Sequence, residues 1–375
     1  MSIEAAVESG KFTIRNLTQA INKTKVPKRR LEELGLFQER GITTLHAEVE
    51  YKKGKIILVT DKERGEDGDS VDRADRDVVV VKAIHLPVTA GLTADDLQGV
   101  REFGAEHAND AGGEQFDKVI NDRGETMRTS IDVTIEMLRF GALKGKVIGK
   151  SGKVRADFFK LFDISEADAI SEIDPSGTTK SLRSQLAEAR RISKSHQDGI
   201  PATRWRVLAS PELMDMLLEN DDFRKAYDRY QDSQAFRENV RGGIFWDDMY
   251  WEEHSELMPD GEPFIPAGEG LMIPENNAGL FMAYFCPANY NETVNTVGLP
   301  YYMVSELRKF GKGLDLEAQS NPILICTSPL AVRQLKLKEA APAAASMSPE
   351  AEQARQDAIE KAEAKKAAAQ QKKAA

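Results

Sequence analysis

The sequence has few cysteines and no long apolar run. Its 375 residues include two cysteines, Cys286 and Cys326, which cannot supply the disulfide framework on which small secreted domains depend. No apolar stretch is long enough to span a bilayer, and residues 1–12 lack the apolar core of a signal peptide. These absences predict a soluble, cytosolic protein with reduced thiols.

Positive charge is also in short supply. Lys and Arg total 51 against 61 Asp and Glu, which gives a formal net charge of −10. A chain this acidic is not generally attracted to nucleic acid, although a local basic segment can still contact it. The length and the 41% share of hydrophobic residues nevertheless support a core of normal size, divided among two or three compact units.

Motifs for catalysis and metal binding are absent as well. The sequence contains no GxSxG, GxGxxG or HExxH pattern, and its histidines lack the spacing of a zinc helix. Segment 145–151 imitates a phosphate-binding loop but has one residue too few between its glycines, so a β-hairpin turn is favoured. The acidic run that begins at Asp67 lacks the glycine and glutamate of a calcium loop. We therefore expect no catalytic residue, no cofactor and no metal.

The first ninety residues are expected to form extended segments. Residues 1–41 hold short apolar stretches around the basic segment 23–30, which is typical of an arm. Strand-like alternation follows over 42–60, and the strongly polar stretch 61–77 then separates it from the next strand. A polar excursion between two strands predicts a loop that projects from the body.

The longest helical pattern covers 110–144. Apolar residues recur on one face, and charged residues, among them Asp132, Glu136 and Arg139, occupy the other face. About thirty helical residues form a rod of roughly 45 Å, which is far longer than an average helix and indicates an architectural role. The apolar face consists of Phe116, Ile120, Met127, Ile131, Ile135 and Leu138.

The remaining pattern mixes helices and strands without regular alternation. This favours an α+β fold over a doubly wound parallel sheet. After Lys338 the composition is reduced to Ala, Glu, Lys and Gln, which predicts a tail without a buried face. Strands are expected at 147–148, 154–162, 204–209, 301–307 and 322–337, and strands mixed with Gly/Pro turns at 246–252 and 270–286. Helices are expected at 181–195 and from Pro211 behind a capping Ser210.

The order of these elements resembles one protein family. An arm, a long charged β loop, a very long helix, a hairpin and an α+β domain follow one another. Late in the chain, segments 264–275, 279–288 and 316–332 are similar to a turn and the closing strands of that family. Over about 36–338 the chain resembles the lambda-like major capsid proteins of tailed bacteriophages, which have the HK97-type capsid fold.

The resemblance implies an α+β, HK97-like capsid fold with an N-terminal arm, an extended β loop, a long spine helix with a β hairpin, and an α+β axial domain. The implied division is an arm over 1–41, a β loop region over 42–90, a peripheral domain with the spine helix and hairpin over 91–180, an axial domain over 181–310, closing strands of the peripheral domain over 311–338, and a low-complexity tail over 339–375.

The implied function is that of a major capsid protein. Such a protein self-assembles into the pentamers and hexamers of an icosahedral phage shell around double-stranded DNA, and it is found in the virion and, during assembly, in the host cytoplasm. The implied partners are copies of itself, a scaffold or protease, a portal and a decoration protein. Packaged DNA would be contacted only weakly and non-specifically, and a membrane not at all.

Basic residues in the two extended segments are candidates for contacts between subunits. Polar arms stay in solution before assembly and pair when neighbours arrive. Packaged DNA is the alternative partner for the arm. The candidates are Arg64, Arg73 and Arg76 in the loop, and Lys28, Arg29 and Arg30 in the arm, together with the nearby Lys23 and Lys25.

The sequence is also compatible with a second function. The chain is alternatively a cytosolic scaffolding or adaptor protein that forms small oligomers and carries a helical tail. Particle size distinguishes the two functions, because an adaptor stops at small oligomers whereas a capsid protein forms very large particles. An enzyme is disfavoured, since no convergent polar site is evident.

Overall fold

The computed structural model describes residues 12–52, 76–93, 96, 112–175, 180–197, 202–230, 243–275 and 279–338. The chain divides into two units, Met1–Lys336 and Leu337–Ala375. Two residues of the second unit are described, so the predicted tail over 339–375 lies outside the described residues. The predicted loop over 61–77 also lies outside them, except for its last two positions.

Helices and strands follow one another irregularly in the described chain, in agreement with the α+β prediction. The helices are α1 (Ile14–Lys23), α2 (Arg30–Glu33), α3 (Gly112–Leu143), α4 (Phe158–Leu161), α5 (Leu182–Ser195), α6 (Pro211–Glu219) and α7 (Asp221–Tyr230). The strands are β1 (Gln38–Gly41), β2 (His46–Lys52), β3 (Arg76–Lys82), β4 (Leu86–Thr93), β5 (Lys146–Ile148), β6 (Val154–Asp157), β7 (Ile170–Ile173), β8 (Trp205–Ala209), β9 (Ile244–Trp246), β10 (Met249–Glu253), β11 (Glu269–Pro274), β12 (Phe281–Phe285), β13 (Tyr302–Leu307), β14 (Gly313–Ser320), β15 (Pro322–Cys326) and β16 (Arg333–Leu337).

The long helix α3 confirms the sequence prediction to within two residues at either end. Its 32 residues correspond to a rod of about 48 Å. A stripe with three- and four-residue spacing faces the core, as predicted. The buried members of the predicted stripe are Ile120, Met127, Ile131, Ile135 and Leu138.

Gly145 turns the chain from α3 into the β5–β6 hairpin. Its φ of +83° lies in the left-handed region, where a side chain is strained. A Cβ at this position would also come within 2.5 Å of the Phe159 ring. Segment 145–151 therefore forms the start of a hairpin, as predicted, and not a phosphate loop.

An antiparallel sheet of order β13–β14–β4 packs against α3. Leu92 of β4 and Leu314 and Leu316 of β14 belong to one buried cluster with the helix stripe. Leu17 and Ile21 of the arm helix α1 complete this cluster. Part of the predicted arm is thus built into the core around the long helix.

The described arm ends in a strand that joins a second sheet. β1 pairs in parallel with β12, which pairs in antiparallel fashion with β15. A side chain at Gly41 would come within 2.2 Å of the Gly298 carbonyl oxygen. The close approach of these two backbones therefore requires glycine at position 41.

The largest sheet has the order β7–β16–β11–β8–β10–β9. β8 and β10 pair in parallel. The other pairs are antiparallel: β9 pairs with β10, β11 with β8, and β16 with β11. Helix α6 packs on β8, β10 and β11, and the large side chains of Trp205 and Trp251 are buried. The predicted strand at 204–209 and the capping role of Ser210 are both confirmed.

The strand predicted over 154–162 is wrong in its second half. β6 ends at Asp157, whose carboxylate accepts a hydrogen bond from the Lys160 amide at 3.2 Å and caps α4. Phe158 and Phe159 are both buried. Adjacent residues of a strand point to opposite faces, so a helical turn is the local structure that lets both rings enter the interior.

Candidate functional site

The charged face of α3 is buried in its C-terminal half, whereas Lys118, Asp122 and Arg123 of that face are exposed. Asp132, Glu136 and Arg139 are 7%, 1% and 5% exposed. Residues of the arm lie over this face. We name the charged groups that hold the arm the arm anchor; it consists of Arg30, Arg128, Asp132, Glu136, Arg139 and Glu252.

The first part of the arm anchor lies at the end of α1. The Arg128 guanidinium donates hydrogen bonds to the carbonyl oxygens of Ile21 at 2.8 Å and Thr24 at 2.6 Å. The last carbonyls of a helix lack intrahelical partners, and a cation there also complements the helix dipole. Arg128 therefore caps α1 from a different helix.

The same arginine is held by a carboxylate and an aromatic ring. Its Nε lies 3.7 Å from Asp132 Oδ2, and its guanidinium carbon lies 4.6 Å from the centre of the Tyr301 ring. The Tyr301 hydroxyl donates a hydrogen bond to Asp132. Burial raises the pKa of Asp132, against the opposing effects of Tyr301 and Arg128.

Glu136 binds the backbone at the start of α2. Its Oε1 accepts a hydrogen bond from the Leu31 amide at 2.6 Å, and its Oε2 lies 3.6 Å from Arg139 Nη1. Oε2 has no hydrogen-bond partner in the structure. Burial raises the pKa of Glu136 to about 7. Arg139 also donates to Glu39 Oε1 of β1 at 2.7 Å, so the two residues contact both ends of the arm segment 30–41.

Arg30 ties α2 to the largest sheet. Its Nε and Nη2 donate to the two carboxylate oxygens of Glu252 in β10, at 2.5 and 2.7 Å. Glu252 is 6% exposed and also accepts from Arg206 Nη1 at 3.1 Å. The hydrogen bond to Glu252 raises the pKa of Arg30. A bidentate pair of this kind fixes orientation as well as distance.

The arm anchor is suited to a structural joint. Each of its carboxylates is bound by an arginine or a backbone amide of the same chain. Removal of one partner of a buried pair leaves an uncompensated charge, which costs about 3–5 kcal/mol. The position of the arm on α3 and β10 is therefore specified by paired charges as well as by apolar packing.

Four of the six sequence-predicted contact residues lie among the described residues. Arg64 and Arg73 lie outside the described residues, and Arg76 begins β3. Lys28 is exposed, as are Lys23 and Lys25 of the same basic segment. Arg29 lies 3.9 Å from Glu256, and Arg30 is held by Glu252. Contact of any of these residues with a neighbouring subunit stays a prediction, and Arg30 already has a partner within its own chain.

The arm anchor itself was not predicted from the sequence. A weak signal exists in the arm, because Thr13 is followed by Leu17 and Ile21 at four-residue spacing. The Thr13 hydroxyl does accept a hydrogen bond from the Asn16 amide at 3.4 Å. This pattern indicates a short amphipathic helix that needs a partner, but it does not identify the partner.

The two cysteines lie outside the arm anchor. Cys286 and Cys326 are free and buried, and burial raises the pKa of their thiols to about 11 and about 12. In the described parts of the chain, no three His, Cys, Asp or Glu side chains gather as a metal site requires. No helix among those residues is long and apolar enough to cross a membrane.

Known proteins share both sequence and fold with this chain. Residues 13–337 match the family of phage major capsid protein E. The chain is 25% identical over 321 residues to the major capsid protein of Pseudomonas phage KPP10. This alignment covers 80% of this chain and 89% of the relative. It is 22% identical over 365 residues to the major capsid protein of Salmonella phage Felix O1, and this alignment covers 86% of this chain and 95% of the relative.

The solved structures include a similar fold. The putative capsid protein of a prophage of Escherichia coli CFT073 superposes with a TM-score of 0.54 at 14% identity, over 85% of this chain and 97% of the other. This match confirms the expected capsid fold of the HK97 type.

Proposed function

We propose that this chain, which belongs to the phage major capsid protein E family, assembles into the pentamers and hexamers of an icosahedral phage head that encloses double-stranded DNA. The match of the family to residues 13–337 carries the proposal. The location proposed for the protein is the virion, with the host cytoplasm as the place of assembly.

The construction of the subunit supports this function. A shell subunit needs a rigid element to span its wall, and α3 with the β13–β14–β4 sheet provides a continuous core of that kind. It also needs an extended segment held in a defined direction, and the arm anchor holds residues 14–41 against α3 and β10. Distributed contacts between copies, each weak, add to a stable assembly through effective concentration.

The proposed partners are chiefly other copies of the chain. A scaffold or protease, a portal and a decoration protein are further proposed partners. Contact with packaged DNA is proposed to be weak and non-specific, since the chain carries a net charge of −10 and repels phosphate overall. The function proposed is structural, without catalysis.

The direct test is the size of the particles that the full chain forms. The purified chain, and a lysate that contains it with its neighbouring phage proteins, are examined by sedimentation velocity and electron microscopy. Round or angular shells are expected. Monomers or small oligomers under every assembly condition would overturn the proposal and favour the scaffolding or adaptor alternative.

A further inference from the structure

The β5–β6 hairpin concentrates positive charge on an acidic molecule. Residues 144–160, which contain the hairpin, include six Lys or Arg and one Asp, whereas the whole chain has a formal net charge of −10. Lys150, Lys153 and Arg155 are exposed, and we name these three residues the basic tip. Within the described part of the chain, none of the three forms an ion pair. Their charge is therefore available to an anionic partner outside the subunit.

The other basic residues of this segment already have partners in the same subunit. Lys146 forms an ion pair with Glu166. Lys160 Nζ lies 3.6 Å from Asp157 Oδ2. Lys144 donates a hydrogen bond to a backbone carbonyl oxygen at 2.9 Å. The unpaired positive charge of the segment is thus confined to the basic tip.

The hairpin packs firmly on the end of the long helix. Val147 and Ala156 lie opposite each other in its two strands, and both are buried in the cluster that contains the end of α3. A Cβ at Gly141 in α3 would come within 2.7 Å of the Lys146 carbonyl oxygen, so the hairpin lies directly on the last turns of the helix. The basic tip therefore has a fixed position relative to α3.

The turn of the hairpin leaves room for a close approach. The Gly149 amide donates to the Lys153 carbonyl oxygen at 3.0 Å, and the Gly152 amide donates to the Gly149 carbonyl oxygen at 2.8 Å. A Cβ at Gly152 would meet no atom within 4 Å, so the turn faces open space. Arg155 Nε lies 3.4 Å from the position of a Cβ at Gly149. The three cationic side chains therefore surround one small turn.

The composition of the hairpin favours the phosphate backbone of a nucleic acid as its partner. Contacts between proteins take much of their energy from aromatic side chains, and residues 144–157 contain none. Stacking on the bases of a single strand also needs aromatic side chains. Exposed Lys and Arg, with the exposed Ser151 between them, are instead typical phosphate ligands. Such contacts do not depend on base sequence.

We infer that the basic tip binds the phosphate backbone of packaged duplex DNA. The inference rests on the proposed function, because it takes packaged DNA as the content of the shell. It goes further by assigning the DNA contact to three residues of the β5–β6 hairpin, and not to the basic segment 23–30 of the arm.

The first test measures DNA binding by the full-length subunit. A fluorescent duplex of mixed sequence is titrated at several salt concentrations and followed by anisotropy. The triple variant Lys150→Gln, Lys153→Gln, Arg155→Gln is expected to bind at least about tenfold more weakly at low salt, with an unchanged thermal unfolding midpoint. Each lost phosphate contact lowers the slope of log affinity against log salt by about 0.9, so the slope should decrease by about 2–3.

The matched control removes the same charge from another exposed segment. Lys23→Gln, Lys25→Gln, Lys28→Gln changes three exposed lysines of the arm and is expected to bind DNA as the parent chain does. An equal loss from both triple variants would overturn the inference, as would a loss from the arm variant alone. The absence of DNA binding by the parent chain at low salt would overturn it as well.

The second test determines what covers the basic tip in particles. Filled heads, and the same heads after release of their DNA, are treated with an amine-acetylating reagent and analysed by mass spectrometry. Lys150 and Lys153 are expected to be protected in filled heads and reactive after release. Protection in both states would show that a protein covers the tip and the exposed Ile148 and Val154 beside it, and would overturn the inference. Full reactivity in both states would overturn it too.

The two tests separate this inference from the proposed function. Failure of the parent chain to form heads would contradict the proposed function. The anisotropy measurement uses the unassembled subunit, so it gives a result for the basic tip whether or not heads form.

Discussion

Buried and exposed charges are expected to respond differently to substitution in this subunit. An ion pair at the surface contributes about 0–1 kcal/mol, because water and salt screen it. In the arm anchor, Arg30 is half-buried and its partner Glu252 is buried, and a buried charge that loses its partner is much more costly. Arg30 and Lys28 are two residues apart in the same basic segment and allow a direct comparison of the two environments.

Arg30→Ala is expected to lower the free energy of unfolding by about 1–3 kcal/mol, since Glu252 keeps Arg206 but loses its bidentate partner. Lys28→Ala is the matched control and is expected to change it by less than about 0.5 kcal/mol. Urea denaturation of the full chain measures both. Limited proteolysis should cut the arm faster in the Arg30 variant only, and equal effects of the two substitutions would contradict a role of Arg30 in the arm anchor.

The raised pKa of Glu136 predicts that the stability of the fold depends on pH. Burial raises its pKa to about 7 in the folded chain, against an ordinary value of about 4.3. The folded state therefore binds the proton more tightly than the unfolded state, so this group stabilises the fold at low pH. Its contribution is lost as the pH rises from about 4.5 through about 7.

Glu136→Gln keeps an acceptor for the Leu31 amide but cannot ionise. Between pH 5 and pH 8, the free energy of unfolding of the variant is expected to decrease by about 1–3 kcal/mol less than that of the parent chain. Thermal unfolding at a series of pH values measures the slope. Glu39→Gln, which changes a more exposed carboxylate on the same Arg139, serves as the control, and a slope unchanged by Glu136→Gln would contradict the raised pKa.

The sequence predicted which residues form the apolar face of α3, but it made no prediction about what covers part of the charged face. Helical periodicity identifies a stripe of apolar residues, and the structure buries that stripe as predicted. The pattern also placed Asp132, Glu136 and Arg139 on an opposite, charged face, but it does not show what covers that face. Residues of the arm cover this part of the helix; Leu31, for example, contacts Glu136 and precedes it by 105 residues in the sequence. Periodicity within a helix gives no information about such a distant partner.

Among whole elements, the loop predicted over 61–77 is the one that we most directly expect to take part in assembly. We expect it to lie across a neighbouring subunit, with Arg64, Arg73 and Arg76 near carboxylates there. One exposed pair is worth about 0–1 kcal/mol, so a single reversal to Glu is expected to have little effect. The triple reversal is expected to impair assembly while the unfolding midpoint of the subunit stays the same.

Particle yield by sedimentation and the unfolding midpoint of the same preparations test this prediction. A triple reversal of other exposed basic residues, Lys150→Glu, Lys153→Glu and Lys160→Glu, is the matched control for net charge. Normal shells from the triple loop variant would remove the loop from the interface.

Elements with strong local signals were predicted well, and pairings between distant elements were not. The helix α5 begins after the capping Ser181 and spans Leu182–Ser195, as its pattern predicted. No local pattern indicated that β4 pairs with β14, with Leu92 opposite Leu314. A strand pattern shows which residues share a face, but partner and register depend on tertiary packing.

For the whole molecule, the low-complexity tail is the segment whose removal is most informative. We predict that 342–375 is a solvent-exposed appendage, because a helix without an apolar stripe gains nothing from packing and is marginal alone. The acids early and lysines late in this segment match a helix dipole, so the expected state is a fraying helix or a disordered tail.

Truncation after Lys338 tests the tail directly. The shortened chain is expected to assemble as the full chain does, as judged by electron microscopy of matched preparations. Loss of shells with a folded subunit would make the tail an element that binds a scaffold or the shell itself. Circular dichroism of both chains shows whether the subunit remains folded.

The parallel pairing of β1 with β12 has a consequence for synthesis on the ribosome. Gln38 lies opposite Met282, so 244 residues must be made after the first strand before its partner exists. At about 5–20 residues per second, this delay is roughly 12–50 seconds. During that time, each nascent chain presents an unpaired strand next to other chains translated from the same message. Exchange of β1 between two copies is therefore the misfolded product to expect when translation is slowed.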